Sequence, residues 1–110
     1  MGKGADNLQG TLGLLVLRTL AAGEPLHGYT IAERIHGLSS DVLRVEEGSL
    51  YPALHRMDEA GWVRSKWGVS ERNRRARYYT ITQRGRRQLA TLETSWINHV
   101  QAVIKILGMA

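Results

Sequence analysis

Apolar residues recur at helical spacing through the first half of the chain, alternate with polar ones for two short runs, and then return to helical spacing. Leu8 to Ala22 predicts a first helix, with Leu8, Leu12, Leu15, Leu17 and Leu20 spread around most of its circumference. A helix apolar nearly all round has to be covered on more than one side. Gly23-Glu24-Pro25 ends it, and Pro25 leads into a second helix, His27 to His36, with Tyr29, Ile31, Ala32 and Ile35 as its apolar stripe and Gly37 as its stop. Leu38 to Arg44 reads as a connector with a short extended piece around Val42–Val45. Val45 to Gly61 predicts the third helix. Leu50, Leu54 and Met57 share one face, at spacings of four and three, while Tyr51, His55, Arg56 and Asp58 point elsewhere. Pro52 is expected in the first turn, where a missing N–H is tolerated. Glu46 and Glu47 complement the positive end of the helix dipole, and Gly61 is placed to cap the other end.

Beyond Gly61 the period changes to two. Val63, Ser65, Trp67 and Val69 face one way and Arg64 and Lys66 the other; after the polar run Ser70 to Arg75, Tyr79 and Ile81 oppose Tyr78 and Thr80. These are the strands of a β-hairpin with an arginine-rich tip. Thr82 is a suitable N-cap for a last helix that runs to about Leu107. Its apolar positions Leu89, Leu92, Trp96, Val100, Val103 and Leu107 are spaced 3, 4, 4, 3 and 4 apart, a coiled-coil-like seam. Three helices, a hairpin and a long helix predict a mainly α (α+β) winged helix-turn-helix with a two-stranded β-wing and a long C-terminal dimerisation helix. Residues 1–81 would form the winged domain and residues 82–110 the dimerisation helix, as one compact unit with no repeat or linker.

At 110 residues the chain can bury only a modest core, which favours an oligomer if the long seam is to be covered. The net charge of +5 is unevenly placed. Nine Lys and Arg side chains lie between Arg64 and Arg87 against Glu71 alone, an excess of +8 that leaves −3 for the remainder. Concentrated positive charge on a hairpin points to a polyanion. Twelve of the fifteen basic residues are arginine, whose planar fork suits phosphate oxygens. There is no Cys, which excludes disulfides and thiolate metal sites and fits a reducing compartment. Arg18 interrupts the one apolar run that resembles a signal core, and Asp6 stands where myristoylation needs Ser or Thr. No stretch is long enough to span a bilayer, so the expected location is the cytoplasm.

Four segments carry a resemblance. They are Leu8-Gln9-Gly10-Thr11-Leu12, Leu26-His27-Gly28-Tyr29-Thr30-Ile31-Ala32, Glu47-Gly48-Ser49-Leu50-Tyr51-Pro52-Ala53-Leu54-His55-Arg56 and Arg77-Tyr78-Tyr79-Thr80-Ile81-Thr82. Together they resemble the motifs of the PadR-like transcriptional regulators over nearly the whole chain, the Gly-Ser-Leu-Tyr-Pro-Ala-Leu piece being the most specific. The single last helix is similar to the short-tailed branch, whose members are homodimers that repress by occupying a palindromic operator. The resemblance implies a recognition helix at Ser49, Leu50, Tyr51, Pro52 and His55, to which the polar face adds Arg56. It implies a phosphate-binding wing across Arg72, Arg74, Arg75 and Arg77, with Glu71 and Asn73 shaping the loop. It also implies that a small aromatic ligand can sit between paired tryptophans of the last helix, which makes Trp96 a candidate effector pocket as well as a dimer-core residue.

Other readings stand beside these. Tyr51 and His55 can be an ordinary solvated face, and the arginines can serve solubility alone. Trp62 and Trp67 read as core and hairpin packing, and His27 as a cap or packing residue at the second helix. His27, His36, His55 and His99 are scattered without metal-ligand spacing, so neither a metal nor a cofactor is expected. No phosphate-cradling glycine loop, nucleophile elbow or nucleophile–base pair can be assembled, so catalysis is not expected. The expected partners are double-stranded DNA and a second copy of the chain, with no membrane. The rival reading is a winged-helix protein-interaction module whose arginine hairpin docks an acidic partner; a weaker one is a ligand-binding dimer without DNA activity. A docking helix would more often display large apolar anchors than Tyr51, His55 and Arg56.

Overall fold

Helix α1 (Lys3–Leu20) lies at the centre of the computed structural model, touching elements from every other part of the chain. The structure describes residues 3–109, with side chains from residue 11 onward, so the expectations for Leu8, Gln9 and Gly10 lie outside the described side chains. Strand β1 (Leu26–His27), helix α2 (Gly28–Leu38), helix α3 (Glu47–Glu59), strands β2 (Val63–Val69) and β3 (Arg75–Ile81) and helix α4 (Gln83–Leu107) follow in order. Leu12, Val16, Leu17 and Leu20 are all buried, and α1 packs against α2, α3, β3 and α4. This is the many-sided cover that its apolar circumference demands. It ends at Leu20, two residues before the expected Ala22, where Gly23 takes a left-handed backbone (φ 99°). Arg86 of α4 donates a 2.9 Å hydrogen bond to the Ala21 carbonyl, satisfying an acceptor that the helix end leaves without a partner.

The sheet has three strands rather than the two read from the hairpin pattern. Its order is β1-β3-β2, antiparallel throughout, with Leu26 opposite Tyr79 and His27 opposite Tyr78. Two residues are too few to give an alternation signal, so β1 could be found only through its partner. The extended piece expected around Val42–Val45 is not a strand; it is irregular chain pinned by buried Val45. The α2 stripe is narrower than its sequence suggests. Ile31 and Ile35 are buried, but Tyr29 is 57% exposed. Two residues from Ile31 correspond to about 200° around a helix, which carries Tyr29 to the outer face.

Helix α3 stops in a Schellman motif: Trp62 N–H donates to the Met57 carbonyl (2.9 Å), Gly61 N–H to that of Asp58 (3.0 Å), and Gly61 has φ 81°. Thr82 caps α4 as expected, accepting from Gly85 N–H at 3.0 Å and donating to the Gly61 carbonyl at 2.6 Å. One threonine thus joins the end of α3 to the start of α4. Gly85 is buried against this junction, and a Cβ there would collide with the Trp62 carbonyl. Leu89, one turn on, is also buried in the core.

The Gly85 contact gives the first prediction. Alanine in an open helix position gains up to about 1 kcal/mol over glycine. Gly85→Ala should instead lose about 2–3 kcal/mol, because backbone has to move to admit the methyl group. Gly37→Ala, where a Cβ would meet nothing within 4 Å, is the control and should be neutral or stabilising. Denaturant midpoints of the two variants, compared with the parent protein, check the contrast.

Candidate nucleic-acid interface

Helix α3 has two unlike faces. Leu50, Ala53, Leu54 and Met57 are buried beneath it, while Tyr51, Pro52, His55 and Arg56 are exposed and Ser49 is half-buried at the first turn. Leu50, assigned to the reading surface with its neighbours, is only 1% exposed, so it anchors the helix from below and does not reach a surface ligand. Pro52 lies in the second turn, not the first, because the helix already begins at Glu47. Its missing N–H leaves the Gly48 carbonyl without an intrahelical donor, at a cost of roughly 3 kcal/mol for an interior proline. Burial of Leu50, Leu54 and Met57, at about 1.5–3 kcal/mol each, outweighs it.

Tyr51 is 44% exposed, yet its ring is fixed on one side. It lies over Gly28 at the start of α2, where a Cβ would stand only 2.7–2.9 Å from the ring and hydroxyl. Glycine is what lets the two helices approach at this point. Partial burial, and then the charge of Glu47, raise the phenol pKa above its ordinary value, and a phenol hydroxyl can both donate and accept a hydrogen bond.

The wing stands across a cleft of about 430 Å³ from this face, with Tyr51, His55 and Asp58 on one wall and Trp67, Arg75 and Arg77 on the other. Its register sets the composition of that wall. Trp67 is opposite Arg77, Val69 opposite Arg75 and Ser65 opposite Tyr79, so these side chains share a face of the sheet. Ser65 Oγ donates to Asp58 Oδ2 at 2.8 Å, and Arg77 Nε donates to Ser65 Oγ at 3.1 Å. Arg77 Nη2 also lies 4.0 Å from Asp58 Oδ2. The carboxylate near the end of α3 therefore ties the helix to the wing.

The four wing arginines do not form one cluster. Arg75 and Arg77 face the cleft, whereas Arg72 and Arg74 line a separate recess of about 370 Å³ beside His27, Tyr29 and Glu33 at the start of α2. The turn that presents them is closed by Asn73 N–H to the Ser70 carbonyl and Ser70 N–H to the Arg74 carbonyl, both 2.8 Å. Asn73 has φ 59°, a conformation that asparagine tolerates better than most residues, which bears out its loop-shaping part. Glu71 does more than shape the loop: its carboxylate lies 3.9 Å from His27 Nε2.

Sequence reasoning missed several of these placements. Of the two expectations for His27, cap or packing residue, the structure bears out packing: it precedes α2 without a side-chain cap, and its imidazole meets Thr30 Oγ1 at 3.2 Å and the Tyr78 ring edge-on. Trp62 is half-buried against the core as expected, but Trp67 is 53% exposed on the wall of the cleft. Its alternation with Val63 was visible, whereas its distance from the core depended on how far the hairpin projects. Along α4, Leu89 fills this chain's own core and Leu92 packs against it, while Trp96, Val103 and Leu107 are exposed and Val100 is half-buried. Among the described residues no three His, Asp or Glu side chains converge as metal ligands would, and no helix is long and apolar enough to cross a membrane.

A helix anchored by one face, a projecting hairpin and clustered guanidinium groups can together present hydrogen-bonding side chains to base edges and positive charge to phosphates. Comparison with known proteins agrees with this geometry. A transcriptional regulator from Clostridium thermocellum superposes with a TM-score of 0.81 at 25% identity, over 91% of this chain and 96% of that one. A PadR-family transcriptional regulator from Eggerthella lenta gives 0.76 at 29% identity, over 98% and 92%. A PadR-like transcriptional regulator from Bacillus cereus gives 0.74 at 28%, over 91% and 94%. No curated protein matches the chain. The profile of the "Transcriptional regulator PadR-like family" matches residues 16–91, which span α2, α3, the wing and the buried start of α4, and the chain belongs to that family of transcriptional regulators.

Proposed function

We propose that this regulator is a homodimeric repressor that binds a near-palindromic site in duplex DNA, with one α3 in each major groove and the wings on flanking phosphates. The observation that carries the reading is the face of Tyr51, Pro52, His55 and Arg56, held outward by buried residues on one side and flanked by the arginine wing on the other. Tyr51 and His55, with Arg56 and Ser49, are the candidates for contact with the groove; Arg72, Arg74, Arg75 and Arg77 supply most of the affinity. Two-fold symmetry sets the half-sites about one helical turn, or a multiple of it, apart. The work is done on DNA in the cytoplasm.

The partner surface is the outer part of α4. Exposed Trp96, Val103 and Leu107 with half-buried Val100 continue the seam beyond the point where this chain covers it. A flat aromatic effector between the Trp96 side chains of two subunits would change the angle of the α4 pair and with it the separation of the two α3 helices. It regulates only if it binds one of those arrangements more tightly than the other.

Mobility shift on the DNA next to the coding region, over a salt series, tests the reading; no specific complex at any salt would favour the acidic-partner alternative. Tyr51→Ala should lower the ratio of operator to random-DNA affinity by about tenfold, the worth of one base contact. An unchanged ratio would remove Tyr51 from the reading face. Arg74→Ala should weaken binding to every sequence and make the log–log salt slope shallower by about 0.9. Leu107→Glu combined with Val103→Glu should shift the protein from dimer to monomer in sedimentation experiments, without unfolding α3.

A further inference from the structure

The cleft wall holds an aromatic side chain that the DNA-binding reading does not use. Trp67 shares the inner face of the hairpin with Tyr79, but Tyr79 is buried, whereas Trp67, at 53% exposure, is no core residue. Two guanidinium groups lie over its ring: Arg75 Cζ is 4.5 Å from the ring centroid and Arg77 Cζ is 5.5 Å from it. Both are within the range where a cation is attracted to the face of an indole. The strand register produces this grouping, because Arg77 is directly across from Trp67 and Arg75 is its diagonal neighbour. Arg77 is further restrained by the Ser65 hydroxyl, which in turn rests on Asp58. Arg72 and Arg74, at the turn, have no ring beneath them among the described residues.

We propose that Trp67 is a positioning residue for duplex binding, its indole face holding Arg75 and Arg77 on the wall of the cleft opposite Tyr51 and His55. The proposal rests on the DNA-binding reading above. A free arginine side chain loses much rotamer freedom when it grips a phosphate, whereas a stacked planar fork keeps its N–H edge available and has less freedom left to lose. The ring also places two like charges side by side over its electron-rich face before any phosphate arrives to neutralise them. The wing then carries two kinds of arginine. One pair is held over an indole ring beside the recognition helix, and the other lies at the tip, beside the start of α2.

The test measures binding of the full-length protein to a random-sequence duplex several helical turns long, by fluorescence anisotropy over a salt series. Trp67→Leu should weaken binding about tenfold. The log–log salt slope should stay unchanged, because both arginines still displace the same counterions. Trp67→Phe, which keeps an aromatic face, should recover most of the loss, and thermal melting of both variants should match the parent protein. In an Arg75→Ala, Arg77→Ala background, Trp67→Leu should have no further effect. Parental affinity in Trp67→Leu, a shallower slope, or an equal loss in the arginine-free background would each overturn the proposal, the last because Trp67 would then be touching DNA itself. Failure of the parent protein to bind any duplex would overturn the DNA-binding reading and this inference together, whereas strong parental binding with no dependence on Trp67 would overturn this inference alone.

Discussion

The molecule depends on the burial of one face of α3. Leu50, Leu54 and Met57 lie within the core, and the hydrophobic free energy of placing them there exceeds what Pro52 costs the helix. With the helix held from below, none of the outward side chains is needed to keep it in place. Tyr51 is the exception. Its ring and hydroxyl lie on Gly28 and so set how closely α2 approaches α3, while the residue as a whole stays exposed. One residue therefore links the packing of the helix pair to the face that the pair presents.

The wing is joined to that helix by weaker interactions. Asp58, Ser65 and Arg77 form a chain of hydrogen bonds at the surface, where each ion pair is worth about 0–1 kcal/mol. Such a link adds little to stability. Its effect is geometric, because it sets the inner face of the hairpin at a defined distance from α3 while the backbone register supplies the rigidity. Asp58 also offsets part of the wing's positive charge on the side nearest the helix. Arg72 and Arg74 at the turn have different company: His27, Tyr29 and Glu33 of the α2 start. A basic run that looks uniform in sequence is thus divided by the turn into groups with different surroundings.

Helix α4 divides in a comparable way along its length. Gly85 and Leu89 belong to the core and are locked to the end of α3 through Thr82, whereas Ile97, Val103, Ile106 and Leu107 remain exposed. The apolar seam is continuous, but a core of this size covers only its beginning. Thr82, just before α4, donates a hydrogen bond to the Gly61 carbonyl just beyond α3, so the end of one helix and the start of the other meet there although the hairpin separates them along the chain.

Much of this was determined locally and can be read from the chain alone. The four helices, the hairpin, the Gly61 and Thr82 caps and the two faces of α3 follow from periodicity and from residues whose preference is set by their own backbone or nearest turn. Strand β1 was not legible, because two residues gain a strand's identity only from the partner they pair with. Nor were the exposure of Tyr29 and Trp67, the interior position of Pro52, or the division of the arginines between two recesses. Each of these depends on which elements come to lie alongside one another, and side-chain spacing along the chain does not encode how far a hairpin projects beyond the core. The sequence by itself determined which elements form and what chemistry they carry; tertiary packing alone decided which of those side chains meet, because burial and cross-strand contact belong to pairs of elements and not to either one.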